Sequence, residues 1–141
     1  MFRIESIDHV VLRTSDMARM RAFYCDVLGC TVEREQHDLG LLQLRAGAAL
    51  IDLVDVAGPL GQSGGAAPGR DAHNLDHLCL RIDPFDEAAL RAHLARFAIE
   101  ASSVKARFGA QGLGPSLYLD DPEGNSIELK ASVPAGSSGL A

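Results

Sequence analysis

Two stretches of the chain carry the same polar residues at the same spacing. Residues 7–14 read IDHVVLRT and residues 75–82 read LDHLCLRI, so Asp, His, Leu and Arg recur in the same four places. In both stretches apolar and polar residues alternate, which is typical of a β-strand and places His9 and His77 on the polar face. The repetition indicates an internal duplication in which each copy contributes one inward-facing histidine.

A carboxylate also recurs in the two copies. When the last predicted strands of the two copies are aligned, residues 50–53, LIDL, lie over residues 126–129, SIEL. Asp52 and Glu128 therefore occupy equivalent positions. A single carboxylate inside an apolar strand is costly to bury unless it is paired or bound to a metal. A lone strand histidine is more often simply hydrogen-bonded, but two imidazoles and two carboxylates at duplicated positions favour a divalent ion, with Zn, Ni, Co, Mn and Fe(II) all compatible. The predicted ligands of this single ion are His9, Asp52, His77 and Glu128.

The elements that must hold these ligands follow the same order in each half. The two eight-residue repeats, residues 7–14 and 75–82, are called octets. Each octet is followed by a helix-start signal, an amphipathic stretch and three short apolar strands. The first half is predicted to contain a helix between residues 16 and 29 and strands at 7–14, 31–35, 41–45 and 48–56. The second half is predicted to contain a helix at 84–97 and strands at 75–82, 101–105, 116–120 and 126–131. Asp8 and Asp76 precede the two histidines and are expected to face away from them.

This order predicts an α+β fold made of two βαβββ modules. The sheets are expected to curl into one mixed sheet around a central cup, with the helices outside. Residues 1–132 are predicted to form a single domain made of repeats at about 4–56 and 74–131. Residues 57–73, rich in Gly, Ala, Pro and Ser, are predicted to be the linker between the repeats, and residues 133–141 a disordered tail.

Composition argues against several classes of partner. The chain of 141 residues has a net charge of −6 and no basic run, which argues against nucleic acid and anionic membranes. No uninterrupted apolar stretch approaches the roughly 20 residues that span a bilayer. Three cysteines without disulfide or zinc-knuckle spacing are typical of a reducing compartment. We therefore expect a cytoplasmic protein that binds neither nucleic acid nor membranes.

Four segments resemble the vicinal oxygen chelate superfamily, which includes glyoxalase I, extradiol dioxygenases, methylmalonyl-CoA epimerase, fosfomycin resistance thiol transferases and bleomycin resistance proteins. The resemblance implies a divalent metal in the cup, with His9, His77 and Glu128 as the shared triad. Asp52 falls where glyoxalase I-like members have a second glutamate. Aspartate is one methylene shorter, which leaves open direct coordination, coordination through water, or none. The matching segments are residues 7–12, 23–29, 75–80 and 121–129.

The resemblance also implies a substrate that chelates the metal through neighbouring oxygens. The ion would polarise these oxygens and stabilise an enediolate or alkoxide, while a carboxylate that leaves the metal acts as a base on an adjacent carbon. Glu128 is the first candidate for that base and Asp52 the second. A homodimer is expected, with the cup built within one chain or shared between two.

Further side chains are predicted to hold the substrate. Arg13 and Arg81 each follow a predicted ligand histidine by four residues, so they bind an anionic group at the metal face or are solvated strand ends. Arg107 lies in a glycine-rich segment, residues 105–114, that either closes over a bound anion or is an exposed hairpin. Ser116 and Tyr118 resemble the Ser and Tyr positions that hold fosfomycin in the resistance enzymes, with a buried structural tyrosine as the alternative.

The leading functional prediction is a divalent-metal-dependent lyase or isomerase of glyoxalase I type, supported by the fourth acidic position, Asp52. A fosfomycin-type thiol transferase is supported by Ser116 and Tyr118. An extradiol dioxygenase is supported by the two histidines and one glutamate, which suit ferrous iron. The alternative from another class is a metal-free drug-binding protein of the bleomycin resistance type. Such a protein has no chemical need for the predicted metal triad.

Overall fold

The computed structural model describes residues 1–134 and divides the chain into two compact units, residues 1–74 and the chain from Leu75 onward. Each unit contains one four-stranded mixed sheet, which confirms the predicted α+β class and the repeated βαβββ order. Of the segment predicted to be a disordered tail, residues 135–141 lie outside the described residues. No helix in residues 1–134 is long and apolar enough to cross a membrane.

The first unit consists of a strand, a helix and three further strands, followed by a short second helix. The strands are β1 (His9–Thr14), β2 (Thr31–Gln36), β3 (Leu41–Ala46) and β4 (Ala49–Asp55), and the helices are α1 (Met17–Ala22) and α2 (Pro59–Gln62). The strand order in the sheet is β1-β4-β3-β2, with β1 parallel to β4 and the other neighbours antiparallel.

The first helix begins and ends where its sequence signals lie. The Asp16 carboxylate accepts a hydrogen bond from the Arg19 amide at 3.0 Å, which caps the start of α1. The helix continues in π-helical geometry over Phe23–Val27. Gly29 follows with a φ of +77°, a left-handed conformation that favours glycine and ends the helix. Tyr24 on this helix is fully buried, so its apolar side faces the core.

Strand alternation gives the first sheet an apolar face and a polar face. Leu12 of β1, Leu53 of β4 and Leu42 of β3 lie opposite one another in register and are at most 1% exposed. Burying such a leucine stabilises the fold by roughly 1.5–3 kcal/mol relative to leaving it exposed. The residues adjacent to these leucines point to the other face of the sheet, which is where the predicted metal ligands His9 and Asp52 lie.

The second unit repeats this arrangement. The elements are β5 (His77–Ile82), α3 (Glu87–Ala95), β6 (Lys105–Gly109), β7 (Gly112–Asp120) and β8 (Ser126–Ala131). The sheet has the order β5-β8-β7-β6, with β5 parallel to β8. The Asp86 carboxylate accepts a hydrogen bond from the Ala89 amide at 3.0 Å and caps the start of α3. Leu117 of β7 and Ile127 of β8 are fully buried.

The prediction of a strand at residues 101–105 is wrong. The second strand of this unit, β6, begins only at Lys105, and β7 begins at Gly112 rather than at residue 116. Gly109 pairs with Gly112 around a two-residue turn, and Gly112 has a φ of +95° that suits glycine after such a turn. Residues 105–114 therefore form a β-hairpin.

The glycine-rich segment after β4 is held against β1. The Arg13 guanidinium donates hydrogen bonds to the carbonyl oxygens of Gly61 and Gly65, both at 2.9 Å, and of Ala66 at 2.8 Å. The Asn74 side chain pairs with the backbone N–H and C=O of Arg13, both at 3.0 Å. This segment is therefore packed onto the first unit rather than extended away from it.

Substitution of a glycine in this segment tests whether close packing requires it. A Cβ at Gly61 would lie 2.0 Å from the Asp55 carbonyl oxygen, so Gly61→Ala is expected to lower the free energy of unfolding by about 1–3 kcal/mol. Gly69→Ala is the matched control, because a Cβ there meets no atom within 4 Å. Urea unfolding monitored by circular dichroism gives both values, and equal stability of the two variants would contradict the close packing.

Candidate functional site

In the first unit, strand register brings His9, Gln43 and Asp52 to the polar face of the sheet. Gln43 on β3 pairs with Asp52 on β4, which in turn pairs with Val11, two residues after His9 on β1. The Gln43 carboxamide donates a hydrogen bond from Nε2 to Asp52 Oδ2 at 3.0 Å. Asp52 is 4% exposed, and its other oxygen, Oδ1, is buried and accepts no hydrogen bond from the described residues.

Each candidate histidine is held by the aspartate before it. His9 Nδ1 lies 2.6 Å from Asp8 Oδ1, and His77 Nδ1 lies 2.6 Å from Asp76 Oδ2. The expectation that these aspartates face away is wrong, because each precedes the first residue of its strand and escapes strand alternation. The hydrogen bond to Asp8 raises the pKa of His9, burial opposes this, and the charges of Asp52 and Asp8 add to the rise. In both rings Nε2 is the nitrogen that does not contact this aspartate.

In the second unit the equivalent positions carry a larger cluster. Tyr118 on β7 pairs with Glu128 on β8, and its hydroxyl donates to Glu128 Oε2 at 3.1 Å. His77 Nε2 lies 3.5 Å from the same oxygen, and the His77 and Tyr118 rings meet edge-on with centroids 5.5 Å apart. Glu128 is 6% exposed, and its Oε1 is buried and accepts no hydrogen bond from residues 1–134.

The neighbours of Glu128 favour its ionised form. Burial raises the pKa of Glu128, but the side chains of Ser116, Tyr118 and Cys79 and the charge of His77 outweigh it, so the pKa lies below its usual value. Burial and the hydrogen bond to Glu128 raise the pKa of Tyr118. At neutral pH the pair is therefore a carboxylate acceptor facing a protonated phenol donor.

Arg107 extends this cluster on the neighbouring strand β6. Its Nη1 donates to the Ser116 carbonyl oxygen at 2.8 Å and to Ser116 Oγ at 2.9 Å. Its guanidinium carbon lies 4.6 Å from the centroid of the Tyr118 ring, a cation–π contact. Within the described residues Arg107 forms no ion pair with a carboxylate. Three predicted substrate-binding residues thus lie in one cluster with two predicted metal ligands.

The arginines at the matching ends of β1 and β5 have different surroundings. The Arg13 guanidinium is engaged by three carbonyl oxygens of residues 61–66. Arg81 is exposed. The same residue in the same place of the repeat therefore anchors a segment in one unit and is open to solvent in the other.

Sequence reasoning missed Gln43. The signal was available, since aligning the middle strands of the two repeats, residues 41–45 with 116–120, places Gln43 over Tyr118. In both units this position carries the donor that contacts the buried carboxylate. The duplication thus extends from the ligands to the groups that orient them.

Lys130 is a second residue that the sequence analysis did not single out. It is 6% exposed, and its Nζ donates to the carbonyl oxygens of Arg107 and, at 3.0 Å, of Gly114. A Cβ at Gly109 would lie 2.8 Å from Lys130 Cε, so glycine makes room for the lysine. A lysine inside an otherwise apolar strand was the signal, because buried lysines require such partners. Lys130 ties the β6–β7 hairpin to β8.

Removal of this ammonium group tests its structural role. Lys130→Met is expected to lower the free energy of unfolding by about 1–3 kcal/mol, because two carbonyl oxygens lose a charged donor. Lys105→Met is the matched control, since Lys105 is exposed on the same hairpin. Denaturant titration of both variants and the wild type makes the comparison. A stability of Lys130→Met equal to that of Lys105→Met would show that the hairpin does not depend on the lysine.

Taken by itself, each unit carries half of the predicted ligand set. The first has His9 and Asp52, and the second has His77 and Glu128. Within neither unit do the described residues bring three or more His, Cys, Asp or Glu side chains into a group that could hold a metal ion. Each unit therefore contains one histidine Nε2 that does not contact the preceding aspartate. Each also contains one buried carboxylate oxygen that accepts no hydrogen bond from the described residues.

One superfamily model and several known proteins match this chain. The model of the Glyoxalase/Bleomycin resistance protein/Dioxygenase superfamily matches residues 6–129. The uncharacterized protein YaeR of Escherichia coli K12 is 29% identical over 136 residues, which are 92% of this chain and 98% of that protein. The mitochondrial methylmalonyl-CoA epimerase of Bos taurus is 26% identical over 130 residues, which are 88% of this chain and 73% of that protein. The crystal structure of virulence protein STM3117 from Salmonella typhimurium is similar with a TM-score of 0.77 and 26% identity, covering 94% of this chain and 100% of that one.

Proposed function

The chain belongs to the Glyoxalase/Bleomycin resistance protein/Dioxygenase superfamily, and on that basis we propose that it is a cytoplasmic, divalent-metal-dependent lyase or isomerase of glyoxalase I type. Its substrate is a small molecule that chelates the metal through neighbouring oxygens. The observation that carries the proposal is the pair of buried carboxylate oxygens, Asp52 Oδ1 and Glu128 Oε1, that accept no hydrogen bond within the described residues.

A bound cation accounts for these two oxygens. A buried anionic oxygen without a donor is unfavourable by several kcal/mol unless a positive charge or a metal compensates it. Imidazole nitrogens and carboxylate oxygens suit Zn, Ni, Co, Mn or Fe(II). The aspartates that contact both Nδ1 atoms are the outer partners that ligand histidines commonly have. The proposed ligands are His9, Asp52, His77 and Glu128.

The two repeats act together in this proposal as one functional domain. Each supplies one histidine and one carboxylate, from two units of a single chain or from units of two chains in a homodimer. When bound, the ion supplies Lewis-acid polarisation of the substrate oxygens.

Glu128 is the proposed base. Its carboxylate is ionised at neutral pH because its pKa lies below the usual value, and the Tyr118 hydroxyl holds one of its oxygens in place. It takes a proton from a substrate carbon and returns it to the same or an adjacent atom, so the substrate is isomerised without a change in composition. The similarity to methylmalonyl-CoA epimerase supports a proton-transfer reaction of this kind. Asp52 is the second candidate for the base.

Arg107 is proposed to hold an anionic group of the substrate, together with Ser116 and Tyr118. Its guanidinium is fixed by Ser116 and the Tyr118 ring and has no carboxylate partner among the described residues. Arg81 is the second candidate for this role. The contacts favour Arg13 less, because its guanidinium already donates to three carbonyl oxygens.

Metal content tests the proposal against a metal-free drug-binding protein. Protein purified without an affinity tag is expected to contain about one divalent ion per chain by elemental analysis, because the four donors complete one site. His77→Ala and Glu128→Ala are expected to lose the ion, while His73→Ala, outside both repeats, keeps it. Absence of bound metal, with no uptake of Zn, Ni, Co, Mn or Fe(II), would favour the drug-binding alternative.

Proton transfer tests the assignment of the base. In deuterium oxide the metal-loaded protein is expected to exchange a carbon-bound proton of methylmalonyl-CoA or of a methylglyoxal–thiol hemithioacetal. With its metal content measured, Glu128→Gln is expected to lower the exchange rate per bound ion by roughly 10²–10⁴-fold, the usual contribution of general base catalysis. Asp38→Asn, an exposed turn residue, serves as the control. Exchange by Glu128→Gln at the wild-type rate, measured by mass spectrometry, would exclude Glu128 as the base.

A further inference from the structure

Gln43 occupies in the first unit the place that Tyr118 occupies in the second. Gln43 pairs in register with Asp52, as Tyr118 pairs with Glu128. Each donates one hydrogen bond to one oxygen of its carboxylate, at 3.0 Å from Gln43 Nε2 and at 3.1 Å from the Tyr118 hydroxyl. In both carboxylates the remaining oxygen is buried and accepts no hydrogen bond within residues 1–134.

The hydrogen bond from Gln43 decides which oxygen of Asp52 is left over. An aspartate side chain has two torsions, and a donor that holds Oδ2 restricts the second of them, so the direction of Oδ1 is fixed as well. A carboxamide NH₂ is a donor that does not lose its proton at neutral pH, and the carboxylate it contacts acts only as an acceptor. Because Asp52 is only 4% exposed, water has little access to replace this hydrogen bond.

We propose that Gln43 is a positioning residue that orients Asp52 so that Oδ1 binds the metal directly. This inference rests on the proposed function, because it requires the ion that Asp52 is proposed to ligate. It resolves the question raised by the short aspartate in favour of direct coordination. A side chain on β3 fixes the carboxylate on β4, in the way that outer partners orient metal ligands.

Metal affinity of the apoprotein tests this role without any assay of activity. Gln43→Met keeps the length of the side chain and removes the donor, and it is expected to weaken Zn²⁺ or Co²⁺ binding by roughly 10–100-fold, the usual effect of losing an outer partner. Asp52→Asn is expected to weaken binding at least as much. Gln36→Leu, on the edge strand of the same sheet, is the matched control and is expected to bind as the wild type does.

The double variant separates positioning from a general structural effect. If Gln43 acts through Asp52, then Gln43→Met combined with Asp52→Asn weakens metal binding no more than Asp52→Asn alone. Urea unfolding of the apoproteins checks that the variants fold, and Gln43→Leu replaces Gln43→Met if the latter does not.

Two results would overturn the inference in distinguishable ways. The positioning role would be excluded if the wild type and Gln43→Met bound metal equally tightly. It would also be excluded if the two substitutions weakened metal binding additively in the double variant. Either result would leave the proposed function intact. Wild-type protein that binds none of the divalent ions would overturn the proposed function and the inference together.

Discussion

The parallel pairing of the first strand of each unit with its fourth strand decides where the candidate ligands lie. The pairing sets Val11 opposite Asp52 and Cys79 opposite Glu128, so a histidine two residues earlier shares a face with each carboxylate. A register shift by one residue would turn every one of these side chains to the other face. The buried leucines on the opposite face prevent such a shift, because it would expose them to water. The packing of the core thus fixes the chemistry of the polar face.

The two candidate carboxylates are buried at an electrostatic cost. Asp52 and Glu128 are both nearly inaccessible, and each keeps only one of its oxygens hydrogen-bonded by a neighbouring strand. Folding stability alone does not favour two such groups in apolar strands, since an apolar residue would bury at lower cost. Their presence at duplicated positions is better accounted for by a ligand that compensates the charge.

The two units have the same strand order, but different side chains contact their carboxylates. Asp52 is contacted by an amide, whereas Glu128 is contacted by a phenol that Arg107 covers. The first unit uses the arginine of its octet to hold the segment that follows β4. The second uses Lys130 to hold its hairpin. These different neighbours are the reason why the proposed function places the base at Glu128 rather than at Asp52.

The amino-acid sequence by itself determined the element order, the helix that begins at Asp16 and the duplicated histidines and carboxylates, because caps and alternation are local properties of the chain. It did not determine the position of β6, since a short alternating pattern fits residues 101–105 and 105–109 equally well. Only the tertiary structure decided the contact of Gln43 with Asp52 and the burial of Lys130. These contacts join different strands, and they depend on cross-strand register and side-chain reach, which local periodicity does not encode.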